Sequence, residues 1–294
     1  MEQHIAPPDP DAVLRVVQSA LAEDRARQDV TTRITVAPEQ RGRGTFLAKQ
    51  RGVVCGLDVV REVFGQMSAD LALTVHTPDG VAVDAGDVVA EVDGPLAAML
   101  SGERVALNLL QRMSGTATMA RAFVERAAEG GAAEITDTRK TTPGLRELER
   151  YAVRVGGARN HRDTLADGIL IKDNHLEAGA QRGLSLTELV TEARRAAPHT
   201  QRIEVEVPDA AMARAALDAG VDAILLDNMT PAEMAAVAAE IGDRVILEAS
   251  GGITLDTVRE VAATGVHLIS VGALTHSAPA LDISLRIEPV EGEA

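Results

Sequence analysis

The sequence predicts an α/β protein whose second half is a barrel, or a partly open one, of about six strand–helix units. Three observations carry this. From residue 133 onward, short apolar strands alternate with amphipathic helices. Nearly every one of those strands ends on a charged residue or a glycine. Ahead of residue 133 the pattern differs, with short strands set between turn residues and helices before and after them.

Residues 1–9 are polar and Pro-rich and read as a loose arm. From Asp11, the spacing of Val13, Val16, Val17, Ala20 and Leu21 predicts a helix that Pro10 and Asp11 start. It runs into a charged loop from Glu23 to Thr32. Thr45–Lys49, Gly52–Cys55, Leu71–His76 and Val88–Val92 read as strands, with a helix over Leu57–Gly65 among them. The stretch Gly80–Val89 resembles the turn-and-strand pattern of biotinyl/lipoyl-carrier sandwiches. No lysine stands between Lys49 and Lys140 to be modified, so that likeness is architectural. Residues 101–129 have one long helical pattern, with Arg104 near its start and Gly115 as an expected kink or break. This helix is expected to bridge the domains.

The second half reads as strands at Glu134–Thr138, Gly168–Lys172, Ile203–Val207, Ala223–Asp227, Val245–Ala249 and Leu268–Val271. Helices are expected near 144–158, 185–197, 209–219, 231–241 and 254–264. Such alternation implies parallel strands joined by right-handed crossovers. Core packing explains the Ile, Val and Leu. It does not explain the strand exits, which are Arg139 and Lys140, Lys172, Glu206, Asp227, Ser250-Gly251-Gly252, and Gly272. In (β/α) barrels that C-terminal rim builds the active site from several strands.

Composition excludes several classes. The formal net charge is −15, with no Trp, one Tyr and three Phe, which argues against broad nucleic-acid binding and against an aromatic stacking platform. The lone Cys55 rules out an intrachain disulfide or a cysteine-based zinc cluster, and its apolar surroundings suggest an inert buried thiol. No signal-peptide pattern and no apolar run long enough to span a bilayer are present, so a cytoplasmic protein without membrane contacts is expected.

Against that acidic background, the segment from Arg139 to Lys172 carries eight Lys or Arg and four acids. It also holds two of the chain's three lysines. The local inversion of charge points to an anionic ligand. Arg146, Arg150 and Arg154, spaced i, i+4 and i+8, read as a solvated helix face. Lys140 and Lys172 are compact charges suited to phosphate, whereas the forks of Arg139 and Arg162, with His161, suit carboxylates. Ser250-Gly251-Gly252 before a helix capped by Thr254, followed by Gly272, would bind phosphate through backbone N–H groups. Glu206 and Asp227 would accept hydrogen bonds from paired sugar hydroxyls. The inventory fits a phosphosugar carrying a diphosphate, plus a carboxylated partner. A Schiff-base lyase using Lys140 or Lys172 is the nearest enzyme alternative. A phosphoribosyl-binding regulatory protein is the non-enzyme one. His4, His76 and His199 read as surface residues. His267, His276 and the Asp173-Asn174-His175 stretch stay open between support of the site and ordinary structure.

The motifs resemble the quinolinate phosphoribosyltransferase family over nearly the whole chain. They are Glu23-Asp24 with Asp29-Val30-Thr31-Thr32, Glu103 to Asn108, Asp137-Thr138-Arg139-Lys140-Thr141-Thr142-Pro143-Gly144, and Asn160-His161-Arg162. They continue through Ile171 to His175, Glu204-Val205-Glu206, Leu226-Asp227-Asn228, Glu248 to Gly252, and Gly272 to Thr275. The resemblance implies an N-terminal α/β sandwich over 1–115, with 276–294 as a candidate completion, and an open α/β barrel over 116–275. It implies transfer of a phosphoribosyl group to quinolinate with decarboxylation, a step of NAD synthesis. Mg²⁺ would come with the diphosphate substrate, and no organic cofactor is expected. Lys140, Lys172, Glu206 and Asp227 would be catalytic. Arg104, Thr138, Arg139, His161, Arg162, Ser250, Gly251, Gly252 and Gly272 would bind substrate. A homodimer or hexamer is implied, Arg104 reaching the neighbouring subunit's site. A paralogue of the kind associated with molybdate transport would share the barrel and lack the quinolinate-binding cations.

Overall fold

The structure, a computed structural model, describes residues 5–290. In chain order its elements are α1 (Pro10–Glu23), α2 (Val30–Thr35), β1 (Arg41–Ala48), β2 (Gly52–Val53), α3 (Leu57–Met67), β3 (Ala72–Val75), β4 (Ala82–Val83) and β5 (Val88–Pro95). Then come α4 (Leu96–Ala128), β6 (Glu134–Thr136), α5 (Arg146–Val155), β7 (Ile169–Ile171), α6 (Asp173–Gln181), α7 (Leu186–Ala196), β8 (Ile203–Val207) and α8 (Ala210–Asp218). The last are β9 (Ala223–Asp227), α9 (Pro231–Ile241), β10 (Ile246–Ser250), α10 (Val258–Ala262), β11 (Leu268–Ser270), α11 (Ala273–His276) and β12 (Ile283–Val290). No helix among the described residues is long and apolar enough to cross a membrane.

The chain forms two compact units. One runs to Arg121 and takes in Thr141–Gly157 and the chain from Leu274; the other is Ala122–Lys140 with Ala158–Ala273. The boundary falls inside α4.

The first unit is built on a four-stranded antiparallel sheet in the order β12-β1-β5-β3, with β2 and β4 paired separately. Pro10 starts α1, where its missing N–H costs nothing, and the Asp9 carboxylate caps the helix by accepting from Asp11 N. The apolar faces of α1, α3 and α4 join one core with β1 and β5, in which Phe46 and Phe64 meet with ring centroids 6.2 Å apart. Cys55 is buried there, and burial pushes its thiol well above the usual range, as an inert thiol requires.

Two expectations fail in this unit. The charged loop after α1 contains a helix, α2, whose N-cap Asp29 accepts from Thr32 N at 3.0 Å. The long helix starts at Leu96 and passes Gly115 without a break. A Cβ at Gly115 would lie 1.9 Å from the Pro279 carbonyl oxygen, so this glycine permits a close backbone approach and does not kink the helix. Strand β12, within the 276–294 segment given above as a candidate completion, pairs along all of β1.

The second unit holds a six-stranded, all-parallel sheet in the order β6-β11-β10-β9-β8-β7. Among the described residues β6 and β7 share no pairing, so the barrel is open there. The segment after α5 runs along this seam, where Thr136 bridges to Arg159. Ile203, Val205, Ile224, Leu226, Leu247 and Ala249 are fully buried. The alternate positions, which include Glu204, Glu206, Glu248 and Ser250, point to the other face, as the strand period of two demands. Ser185 with Glu188 and Thr230 with Glu233 form reciprocal capping boxes at the starts of α7 and α9. Helix α6, which the strand–helix pattern does not predict, begins directly after Lys172. Its first turn closes where His175 Nδ1 accepts from Lys172 N at 2.9 Å.

Candidate active site

The strand ends of the second unit surround a cavity of about 530 Å³. Its wall contains Thr138, Arg139, Lys140, His161, Arg162, Lys172, Glu206, Asp227 and Ser250, nine of the residues singled out from sequence. Gly251, Gly252 and Gly272 stand just beyond the lining, and Arg104 is an exposed residue of α4 in the first unit. Leu170, Leu225, Asn228, Glu248 and Ser270 also line the cavity.

Each wall has a local cause. Beyond β6, Asp137 is completely buried. Its two carboxylate oxygens accept from His161 N and Asn160 Nδ2, both at 2.7 Å. That fixes the Asn160-His161-Arg162 segment beside the end of β6. Thr138 Oγ1 accepts from Lys140 N at 3.0 Å and sets the turn that presents Lys140. Arg139 is half-buried, and its Nε, shielded from solvent, has no hydrogen-bond partner among the described residues. Arg162 donates to the Gly168 carbonyl at 2.9 Å. Burial, and then the charge of Arg139, holds the Arg162 guanidinium below its usual range. Two crowded guanidiniums, one with an unsatisfied donor, make a receptor for carboxylate oxygens.

Lys172 leaves β7 and ion-pairs with Glu206 on β8. That ion pair occupies the amine that a Schiff-base lyase would need free. On β9, Asp227 Oδ2 accepts from Asn228 Nδ2 at 2.8 Å. Asn228 sits at φ 55° and donates its N–H to the Ser250 carbonyl at 2.9 Å, joining the exits of β9 and β10. Gly251, at φ +103°, packs so tightly on this turn that a Cβ would come within 2.3 Å of Asn228 Oδ1. Helix α10 begins at Val258, not at the expected Thr254, and the two threonines close the intervening turn where Thr254 N donates to Thr257 Oγ1 at 3.0 Å. A longer loop therefore separates the glycines from the helix N-terminus.

Beneath the cationic wall lies a cluster that sequence reasoning did not single out as a site. His161 Nε2 is 3.4 Å from Glu204 Oε2 and 3.6 Å from Glu248 Oε1. Ligand atoms of the three all lie within 4.8 Å of one another, a spacing that metal sites share. Here Nδ1 accepts from Arg162 N at 2.8 Å, which leaves the ring proton on Nε2, the atom a metal would need bare. The set fits a proton better than a cation. Burial, and then the neighbouring Glu204 charge, pushes the Glu248 carboxyl up to about 7. Burial would lower His161, but its hydrogen bond to Glu204 and the charges of Glu248, Glu204 and Asp137 together raise it. The signal for these acids is a carboxylate in mid-strand, in Ile203-Glu204-Val205 and Leu247-Glu248-Ala249, where core packing favours an apolar residue.

His267 and His276 have structural contacts. His267 Nδ1 accepts from Leu247 N at 3.0 Å, and His276 Nδ1 lies 2.6 Å from Ser277 Oγ.

Residues 116–286 match the model of the quinolinate phosphoribosyl transferase C-terminal domain, and residues 29–114 match that of its N-terminal domain. The chain belongs to the quinolinate phosphoribosyl transferase family. Among its relatives is a probable nicotinate-nucleotide pyrophosphorylase (carboxylating) of Bacillus subtilis, 44% identical over 265 residues that cover 90% of each chain. The nicotinate-nucleotide pyrophosphorylase (carboxylating) of Rattus norvegicus is 39% identical, covering 95% of this chain and 92% of its own. The fold agrees with solved structures of family members. NadC from Streptococcus pyogenes superposes with a TM-score of 0.91 at 37% identity, over 97% of this chain and all of its own. The nicotinate-nucleotide pyrophosphorylase from Francisella tularensis gives 0.91 at 33% identity, over 98% of this chain and all of its own.

Proposed function

We propose that the protein is a carboxylating nicotinate-nucleotide pyrophosphorylase of NAD biosynthesis. It transfers the phosphoribosyl group of phosphoribosyl diphosphate to the ring nitrogen of quinolinate and releases diphosphate and carbon dioxide, leaving nicotinate mononucleotide. The observation that carries this reading is the sorting of charge in one cavity. Arg139, Lys140, Arg162 and Lys172 come from the β6 and β7 side, and Glu206 and Asp227 from β8 and β9.

Loss of diphosphate builds positive charge at the ribose carbon. Lys140 and Lys172 stabilise the departing anion, Lys172 exchanging its contact with Glu206 for phosphate oxygens. Mg²⁺ arrives with the diphosphate, as part of that substrate. Glu206 and Asp227 accept from the ribose hydroxyls and keep negative charge beside the developing cation. Thr138, Ser250 and the backbone N–H groups around Gly251, Gly252 and Gly272 hold the sugar phosphate. Arg139 and Arg162 take the quinolinate carboxylates, and the unsatisfied Arg139 Nε supports that assignment. His161 shapes the same wall, its two ring nitrogens directed to protein groups. The catalysis is positioning and electrostatics, with no covalent intermediate. The reading includes a cytoplasmic homodimer, or a hexamer built from three such dimers, in which Arg104 completes the neighbouring site. Its exposed position on α4, and the exposed Val30 and Ile34 of α2 in the same unit, support that assembly.

Incubation with quinolinate, phosphoribosyl diphosphate and Mg²⁺, with nicotinate and nicotinamide as parallel substrates, tests the reading. Product from quinolinate alone, with release of carbon dioxide, is expected. Product from nicotinate alone would keep the phosphoribosyl half and remove the second-carboxylate half.

A further inference from the structure

The barrel interior is open from two ends. A second cavity, of about 450 Å³, lies among the first residues of the strands, including Ile169, Ala223, Ile246 and Leu268. It and the upper cavity share His161, Arg162, Leu170 and Glu248, and Glu204 lines only the lower one. The cluster of His161, Glu204 and Glu248 is therefore the partition between the two.

The chemistry above the partition needs something that none of the assigned residues supplies. When carbon dioxide leaves, the bond from ring carbon to carboxylate breaks and its electron pair stays on the ring carbon. A proton must reach that carbon, one per turnover. Arg139 and Arg162 are taken up with the quinolinate carboxylates, and Lys140 and Lys172 with phosphate oxygens.

We propose that Glu248 is the acid that delivers this proton, and that Glu204 reloads it from water in the lower cavity. The inference rests on the proposed carboxylating reaction. Glu248 is 2% exposed and lines the upper cavity, and its Oε1 makes no hydrogen bond among the described residues, its nearest charged neighbour being His161 Nε2 at 3.6 Å. Its strand neighbours on the same face are Leu225 and Leu268, which hold it in an apolar setting. Glu204 is flanked likewise by Leu170 and Ala223. The polar groups around the pair are the His161 Nε2–H, Ser270 on β11, and beyond His161 the charges of Asp137 and Arg162. Two carboxylates this close hold one proton between them, and a carboxyl kept protonated near neutral pH is matched to donate it. In the step, the Glu248 O–H bond breaks as the ring C–H bond forms. The resulting pair of carboxylates, steadied by the His161 Nε2–H, takes a proton from water at Glu204. His161 is a positioning residue here.

Single-turnover measurements on the full-length protein test this, with diphosphate and carbon dioxide followed separately. In Glu248→Gln, carbon dioxide release should slow by about 100-fold more than diphosphate release, the low end for loss of a general acid, and a dicarboxylated nucleotide should accumulate. Glu204→Gln should slow later turnovers more than the first. In wild type, heavy water should slow the carbon dioxide step and not the diphosphate step, a readout that needs no variant. Parallel loss of both products in Glu248→Gln, or no isotope effect on the carbon dioxide step, overturns the relay. If wild type releases no diphosphate with quinolinate present, the underlying reaction is wrong instead.

Discussion

Asp137 holds His161 by its main chain, accepting the His161 N–H at 2.7 Å with one carboxylate oxygen while the other takes Asn160 Nδ2. A single buried carboxylate thus fixes the strand-like segment that carries Asn160, His161 and Arg162. Asp137→Asn turns one acceptor into a donor that faces another donor. Leaving such a group unsatisfied costs about 1–3 kcal/mol. Lower thermal stability and a raised KM for quinolinate are expected, with KM for phosphoribosyl diphosphate changing less. Calorimetry and steady-state kinetics check both, and equal rises in the two KM values would contradict a local effect.

How far the sequence disclosed this site follows from the physics of each residue. Strand-end charges and glycines were legible because neither packing nor turn formation explains them in a parallel strand. Glu206, Asp227 and Lys172 are examples. Glu204 and Glu248 were not, because an inward-facing acid in mid-strand differs from a solvent-facing one only by which face is lined, and that depends on barrel curvature. Helix α6 was hidden because it begins with Asp173-Asn174-His175, residues as common in turns. Strand β12 has an alternating pattern but gains its pairing from β1, more than two hundred residues away. Gly115 was misread because a glycine that makes room for Pro279 and one that bends a helix look identical in one dimension.

Glu248 should leave a signature in the pH dependence of stability. Its carboxyl rises from 4.5 to about 7 in the folded protein, burial being the largest cause and Glu204 the next. The folded state therefore keeps a proton that the unfolded chain gives up. The stabilisation is full below pH 4.5 and is lost as pH rises through 7. Glu248→Gln has no such proton to lose. Its melting temperature relative to wild type should improve between pH 5 and pH 8, as thermal scans across that range would show. A constant difference would mean that Glu248 is ionised throughout.

The two rim glycines separate strain from contact. Gly252 has φ +61° and open space where a Cβ would go, so Gly252→Ala should cost only the left-handed backbone penalty of about 1–2 kcal/mol. Gly251 adds to its φ of +103° a Cβ position 2.3 Å from Asn228 Oδ1 and 3.0 Å from Asn228 N. Gly251→Ala must push Asn228 aside, and Asn228 joins Asp227 to the end of β10. It should be the more destabilised of the two and should lose affinity for phosphoribosyl diphosphate, measured by calorimetric titration. Equal behaviour of the two variants would remove Asn228 from the account.

The proposed sharing of sites between subunits makes a prediction that neither inactive variant can meet alone. Arg104→Ala removes the residue given to the neighbour, and Arg139→Ala removes one from the subunit's own cavity. Each homodimer then has two damaged sites. In a mixed dimer the two lesions fall into one site, and the other contains an intact Arg139 with an intact Arg104 from across the interface. Random exchange in a 1:1 mixture makes about half of the dimers mixed, each with one sound site, so about a quarter of wild-type activity should return. Activity should rise after the two proteins are co-refolded, and not on brief mixing if subunits exchange slowly. Without any gain after verified exchange, Arg104 acts within its own subunit or not at all.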